Sequence, residues 1–289
     1  MANLKIIRKR IGSVKSTQKI TRAMKLVAAA RLRRAQENIL ELRPYALKTM
    51  EVLSVVASRA GEDEELHPLL ARRPRKKVLF VVLTSDRGLA GAFNSNISRA
   101  AHARWKKMEA AGQDVRFAVI GRKGRDYLRR RGATIAHEFT GVFQDLSMDH
   151  AGEIGRYVVA EYTRHDLDEC YLVYNQFKSA ISQEVVFEPL LPIVPRALEE
   201  DQVGDFIYEP SKKDLLDTLL PMYVEIEVFR ALLESVASEH GARMTAMEAA
   251  TNNASEMIAK LTLQFNRARQ AAITKELMEI IGGAEALKE

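Results

Sequence analysis

The segment Thr84-Ser85-Asp86-Arg87-Gly88-Leu89-Ala90-Gly91-Ala92-Phe93-Asn94 gathers more groups able to act on a ligand than any other in the chain. A hydroxyl, a carboxylate, a guanidinium and two glycines follow directly on the apolar run Val78-Leu79-Phe80-Val81-Val82-Leu83. In an open α/β sheet, loops at the carboxyl ends of strands are where ligands bind, and glycine lets a phosphate approach the backbone closely. That chemistry would be nucleotide binding. However, Gly88-x-x-Gly91 is too short for a dinucleotide fingerprint, and no glycine stands four residues before a Gly-Lys-Ser/Thr. Gly121-Arg122-Lys123-Gly124, after the second apolar run, is equally short. The favoured reading is a tight strand-to-helix turn with a polar surface beside it; a nucleotide loop is the alternative.

Other reactive groups are dispersed. His67, His102, His137, His150, His165 and His240 stand singly, so no zinc spacing is legible, and no histidine lies near Ser85 or Asp86 in sequence. Cys170 is alone, which rules out an intrachain disulfide and suits a reducing compartment. The charge is patterned. Residues 1–36 carry eleven lysines and arginines and no acid, so a net charge of +6 for the chain leaves −5 for the rest. Such a block fits nucleic acid, an anionic membrane or an acidic protein. Nucleic acid is disfavoured, because no aromatic residue precedes Tyr45 to stack on a base. No run of eighteen apolar residues and no signal-peptide pattern is present.

The elements that must position these groups fall into two kinds. Apolar, β-branched runs at 78–83, 115–120, 134–137, 170–176 and 185–189 alternate with helical patterns near 94–110, 123–131 and 148–163. This alternation predicts a small, mostly parallel α/β domain, with an antiparallel strand at its end. Both termini are different. Leu4, Ile7, Ile11, Val14, Gln18, Thr21, Lys25, Ala28, Leu32, Ala35, Ile39 and Leu42 keep an alternating three-four spacing, the seam of a left-handed coiled coil with a polar middle. From about Lys212 to Gly282 the same spacing picks out Ile226, Phe229, Leu233, Val236, His240, Arg243, Met247, Ala250, Ala254, Met257 and Leu261. At ~1.5 Å per residue that helix would reach roughly 100 Å, far beyond a globular helix. It is too charged to cross a membrane. Two such helices joined through a compact middle most simply pair antiparallel within one chain. Pro221 marks either the start of the second helix or a kink in it.

The chain then divides into an N-terminal coiled-coil helix at 1–60, a linker at 61–75, a Rossmann-like α/β domain at 76–195, a linker at 196–211 and a C-terminal coiled-coil helix at 212–289.

Several segments resemble the γ subunit of F-type ATP synthases: Ile273-Thr274-Lys275-Glu276-Leu277-Met278-Glu279-Ile280-Ile281-Gly282-Gly283-Ala284-Glu285-Ala286 at the C-terminus, Ala237–Met247 and Asn253–Ile258 in the second helix, Phe265–Gln270 beyond it, Ile20–Ala29 in the first helix and Ser85–Leu89 in the turn. The resemblance implies the central rotor shaft. Its paired helices would insert into a ring of three α and three β subunits, and its α/β domain would bind the ε subunit and the c-ring. It implies no chemistry, cofactor or metal in this chain, and membrane association only through the c-ring, at the cytoplasmic face of the energy-coupling membrane. Met24, Lys25, Arg269 and Gln270 match positions that contact β subunits. Ile273, Leu277 and Ile280 match the apolar bearing around the tip, and Tyr208 and Glu209 match the region touching the c-ring. Many family members carry Cys where Ala90 stands, and the cysteine pair of the chloroplast form is missing between Pro195 and Ile207. Two readings from other classes remain beside it: a nucleotide-binding enzyme with a coiled-coil arm, and a basic coiled-coil adaptor for nucleic acid.

Overall fold

The computed structural model describes residues 4–58, 67–195 and 211–286. The elements run α1 (Leu4–Ser58), β1 (Lys77–Leu83), α2 (Phe93–Ala110), β2 (Asp114–Ile120), α3 (Arg122–Arg129), β3 (Ile135–Phe139), α4 (Met148–Thr163), β4 (Glu169–Phe177), β5 (Gln183–Leu191) and α5 (Lys212–Ala286). They form two compact units, Ala29–Arg243 and Met1–Ala28 with Met244–Glu289.

In the larger unit the sheet order is β3-β2-β1-β4-β5. β1 pairs parallel with β2 and β4, β2 pairs parallel with β3, and β5 closes one edge antiparallel to β4. The strand periodicity explains why β1 reads as an unbroken apolar run. Val78, Phe80 and Val82 enter one core with Phe93, Ile97, Ala101 and Trp105 of α2 and Leu128 of α3. Leu79, Val81 and Leu83 enter a second core with Ile154 and Val158 of α4, Leu53 and Val56 of α1, and Leu220, Val224 and Val228 of α5. Successive side chains point to opposite faces, and here both faces are covered. At roughly 1.5–3 kcal/mol per fully buried Val, Leu or Phe, these two layers hold the domain together.

α5 is more deeply seated than its sequence pattern predicts. From Leu219 to Arg243 none of its residues is exposed. A helix apolar on a single seam would leave one face in water. This stretch instead also buries Val224, Val228, Ala231 and Leu232, which lie off the expected seam. The reason is that the sheet, α4 and α1 all contribute to the core around it. α4 approaches it closely at Gly155, where a Cβ would stand 2.9 Å from Glu225 Cγ. Pro221 lies inside α5, nine residues after its first residue, so it does not begin the helix. The start is set instead by Ser211 and Asp214. The Asp214 amide donates to Ser211 Oγ at 3.1 Å, and Ser211 Oγ donates to the Asp214 carboxylate at 2.6 Å. The serine hydroxyl thus satisfies one free amide of the first turn, and the carboxylate holds that hydroxyl in place.

The part of α1 in this unit buries Leu32, Ala35, Ala46, Thr49, Leu53 and Val56, with Ile39 and Leu42 half-buried. The three-four spacing therefore continues past Pro44, which sits on the exposed side.

In the smaller unit, Ile7, Thr21 and Ala28 of α1 are buried, and Leu4, Ile11, Val14, Gln18 and Lys25 are half-buried. The facing residues of α5 are Met247, Thr251, Ala254, Ile258, Leu261, Phe265, Ala268 and Ala272. Met257, expected on this seam, is instead 51% exposed, and Ile258 takes its place. Among the described residues no helix is long and apolar enough to cross a membrane.

Candidate functional site

Two places could carry function: the carboxyl ends of β1 and β2, and the polar middle of the helix pair.

At the strand ends, the first-turn amides of α3 that would cradle a phosphate are occupied by the chain's own side chains and backbone. A helix N-terminus binds anions through its first-turn N–H groups. In α3 the Arg122 amide donates to Asp86 Oδ1 at 3.0 Å, Lys123 to the Ser85 carbonyl at 3.1 Å, and Gly124 to Thr84 Oγ1 at 2.8 Å. Asp86 thus stands where a phosphate would. The turn after β1 is braced the same way. Asn94 Oδ1 accepts the Ser85 amide at 2.9 Å, Asn94 Nδ2 donates to Ser85 Oγ, and Ser85 Oγ donates to the Arg87 carbonyl at 2.6 Å. Gly121, at φ 88°, lies so close to Thr84 that any Cβ would collide with its carbonyl.

α5 then lies against this end of the sheet. Ser238 Oγ donates to the Asn175 carbonyl at 2.8 Å, and Arg243 reaches the Gly88 carbonyl at 3.3 Å while pairing with Glu239 at 2.6 Å. His240 is buried here, and burial, followed by the charges of Arg243 and Arg31, lowers its pKa to about 4. Burial raises Glu239, against the pull of Arg243. The geometry matches the tight turn, with α5 packed against it through Ser238 and Arg243.

Arg230 ties α5 to the sheet more strongly. Its guanidinium donates to Glu188 on β5 at 2.6 Å, to Glu227 at 2.7 Å, to Glu234 at 3.1 Å and to the Tyr174 hydroxyl at 3.1 Å. Tyr174 in turn donates to Glu188 at 2.7 Å. Burial alone would lower the Arg230 pKa, but Glu227, Tyr174 and Glu188 hold it above its usual range. Of the three carboxylates, Glu234 is pushed up by burial, and its Oε2 has no hydrogen-bond partner. The Glu227-Arg230-Glu234 spacing on one helix face was legible in the sequence. Glu188 and Tyr174 were not, since they come from strands whose register no single sequence reveals.

In the helix pair the polar interruptions at Gln18, Thr21 and Lys25 meet one another's level across the seam. Gln18 Nε2 donates to Ser255 Oγ at 2.6 Å, Thr21 Oγ1 and Thr251 Oγ1 are 2.8 Å apart, and Lys25 Nζ donates to Glu248 at 2.6 Å. The falling partner numbers confirm the antiparallel pairing. Each partner lies one residue beyond the positions the seam predicts, Ala254, Ala250 and Met247. Beside them runs an open groove of about 570 Å³ lined by Lys19, Arg22, Lys25, Asn252 and others.

Of the residues matched to family contacts, Met24 and Lys25 are half-buried on α1, with the Lys25 ammonium held by Glu248. Arg269 and Gln270 are exposed on α5. Ile273, Leu277 and Ile280 are 52%, 53% and 72% exposed, an unusual set of bare apolar side chains along one helix end. Tyr208 and Glu209 lie outside the described residues.

The sequence profile of the ATP synthase family matches residues 3–287. Over the full length of both chains, the sequence is 53% identical to the ATP synthase gamma chain of Sorangium cellulosum strain So ce56 and 52% identical to that of Geobacter sp. strain M21. The chain belongs to the ATP synthase gamma-chain family. Its fold is shared with chains of solved ATP synthase assemblies. A chain of the central stalk and c-ring structure of Tetrahymena thermophila mitochondrial ATP synthase superposes at a TM-score of 0.60 with 26% identity, over 80% of this chain and 99% of that one. A chain of the Euglena gracilis mitochondrial OSCP/F1/c-ring assembly superposes at 0.67 with 22% identity, over 98% and 94%. As a gamma-family chain it is a non-catalytic, central-stalk component of a membrane-associated complex.

Proposed function

We propose that this chain is the shaft that couples proton-driven rotation of a c-ring to ATP synthesis in a ring of three α and three β subunits, at the cytoplasmic face of an energy-coupling membrane. The observation that carries the proposal is the family match over residues 3–287, which takes in the helix pair and the α/β domain together. The shaft performs no chemistry. Three chemically identical β subunits can hold different conformations only if something asymmetric touches them. A single chain inside a threefold ring does so, and each orientation favours a different state at each nucleotide site.

Within this scheme Met24, Lys25, Arg269 and Gln270 meet β subunits, and Ile273, Leu277 and Ile280 turn inside an apolar collar at the tip. Tyr208 and Glu209 lie on the c-ring side, and the α/β domain at 76–195 binds ε and the c-ring. The acid-free block at 1–36 and the groove lined by Lys19, Arg22 and Lys25 suit acidic loops on the stator. Polar, long-range attraction of this kind guides a turning shaft without fixing it. The bare side chains at 273, 277 and 280 are supported in the same way, since a slippery apolar collar is the partner they lack.

The test is assembly. The chain is co-expressed with α and β subunits, and the purified complex is compared with the chain alone and with α and β alone. ATP hydrolysis by a stable complex, with none by the isolated chain, supports the shaft. Turnover by the isolated chain, after removal of contaminating ATPase, overturns it in favour of a nucleotide-binding enzyme.

A further inference from the structure

The polar middle of the helix pair joins the two helices at three successive levels. Gln18 Nε2 donates to Ser255 Oγ at 2.6 Å, and Lys25 Nζ donates to the Glu248 carboxylate at 2.6 Å. Between them Thr21 Oγ1 and Thr251 Oγ1 lie 2.8 Å apart. Each of these two hydroxyls also has a carbonyl of its own helix in reach, Gln18 at 3.1 Å and Met247 at 2.7 Å, so either can donate across the seam while the other bonds its own helix. Every rung is satisfied in one register.

Next to these contacts the seam is small: Ala28 and Ala254 give the pair little shape of its own there, while the larger seam residues Ile11, Val14, Ile258 and Leu261 stand to one side. A slide of one heptad, about 10 Å, would set Thr21 against Met244 or Ile258 and take Lys25 from its carboxylate to Gly241 or Ser255. Polar groups at seam positions are an established way for paired helices to fix register.

We propose that Gln18–Ser255, Thr21–Thr251 and Lys25–Glu248 form a register lock that prevents axial slip, so that the two helices turn as one body under load. The mechanical consequence rests on the shaft reading above; the lock itself does not. These are positioning residues, acting through the helices they align.

The test uses the full chain in its complex with α and β subunits and the membrane sector. Stepping ten residues along both helices from Thr21 and Thr251 brings Ile11 level with Leu261. A cysteine pair at Ile11 and Leu261 reports the native register, and pairs at Ile11 with Ala268 or Ala254 report slipped ones. In the otherwise native chain only the Ile11→Cys/Leu261→Cys pair should form a disulfide under mild oxidation. An apolar variant, Gln18→Leu, Thr21→Val, Thr251→Val and Ser255→Ala, should form slipped disulfides as well. It should keep ATP hydrolysis while protons pumped per ATP fall several-fold. A conservative variant, Thr21→Ser with Thr251→Ser, should restore both the single register and the pumping ratio. Native-only disulfides and an unchanged pumping ratio in the apolar variant would overturn the lock. If the native chain itself supports no pumping while its disulfides stay in register, the shaft reading fails and the lock stands.

Discussion

Arg230 on α5 and Glu188 on β5 meet at 2.6 Å, and Tyr174 on β4 closes the triangle by donating to the same carboxylate. This contact joins the long helix to the sheet through charge as well as packing. Removing the guanidinium leaves Glu188, Glu227 and Glu234 facing one another with no cation between them. Loss of one partner from a buried ion network costs about 3–5 kcal/mol, and partial solvent access at Arg230 reduces that to about 2–4. Arg230→Met should therefore lower the denaturant midpoint of the chain by that equivalent. An unchanged midpoint would show that the apolar core alone holds α5 to the sheet.

His240 makes the larger unit sensitive to acid. The imidazole is buried, and the charges acting on it are Arg243 on its own helix and Arg31 on α1. Its folded pKa of about 4 lies below the ordinary 6.5, so the unfolded chain takes up the proton first as pH falls. The stability it contributes is complete above pH 6.5 and is lost progressively down to about 4, for a total of roughly 3 kcal/mol. Glu239, raised by burial, works in the opposite sense and loses stability as pH rises from its ordinary value. His240→Gln should flatten the pH dependence of stability between 6.5 and 4. A slope unchanged by that substitution would place the acid sensitivity elsewhere.

The turn after β2 is held by the closest backbone approach at the sheet end. Gly121 has φ 88° and no room for a Cβ beside the Thr84 carbonyl. Gly121→Ala adds both steric overlap and an unfavourable backbone conformation, each worth about 1–3 kcal/mol. A loss of roughly 3 kcal/mol or more is expected in denaturant unfolding. Gly132→Ala serves as the comparison, since Gly132 has φ 73° but nothing near its Cβ, and it should cost less. Equal losses at the two positions would mean that the Thr84 contact carries no weight.

Much of this architecture was legible in the sequence. Val78–Leu83 announced a strand covered on both faces, and the strand-helix alternation fixed the order of the α/β domain. The three-four spacing from Leu4 onward identified the helix that pairs at its amino end. What escaped depended on tertiary neighbours. Periodicity assigns one buried stripe per helix, so it could not foresee that Leu219–Arg243 leaves no residue exposed. It placed Ala250 and Met257 on the seam because steps of three from Met247 and Ala254 keep the same alternation as steps of four, which lead to Thr251 and Ile258. Pro221 was ambiguous because proline suits a first turn, and only the Ser211–Asp214 cap settled where the helix begins. Asp86 filling the first turn of α3 lies across 36 residues of chain, a distance no local motif spans.

Arg269 and Gln270 separate function from stability. Both are exposed, so Arg269→Ala with Gln270→Ala should change the stability of the isolated chain by no more than about 0.5 kcal/mol. In the complex with α and β subunits the same pair should weaken assembly or lower ATP synthesis several-fold. Unchanged synthesis and unchanged complex stability would remove these two residues from the proposed β contact.

Rotation itself tests the central claim most directly. The α and β subunits are fixed to a surface, a bead is attached to the α/β domain of this chain, and ATP is supplied. The shaft account predicts continuous rotation in one direction with three equal dwells per turn, one for each β subunit. Robust ATP hydrolysis by the assembled complex with the bead fluctuating but never turning would contradict it.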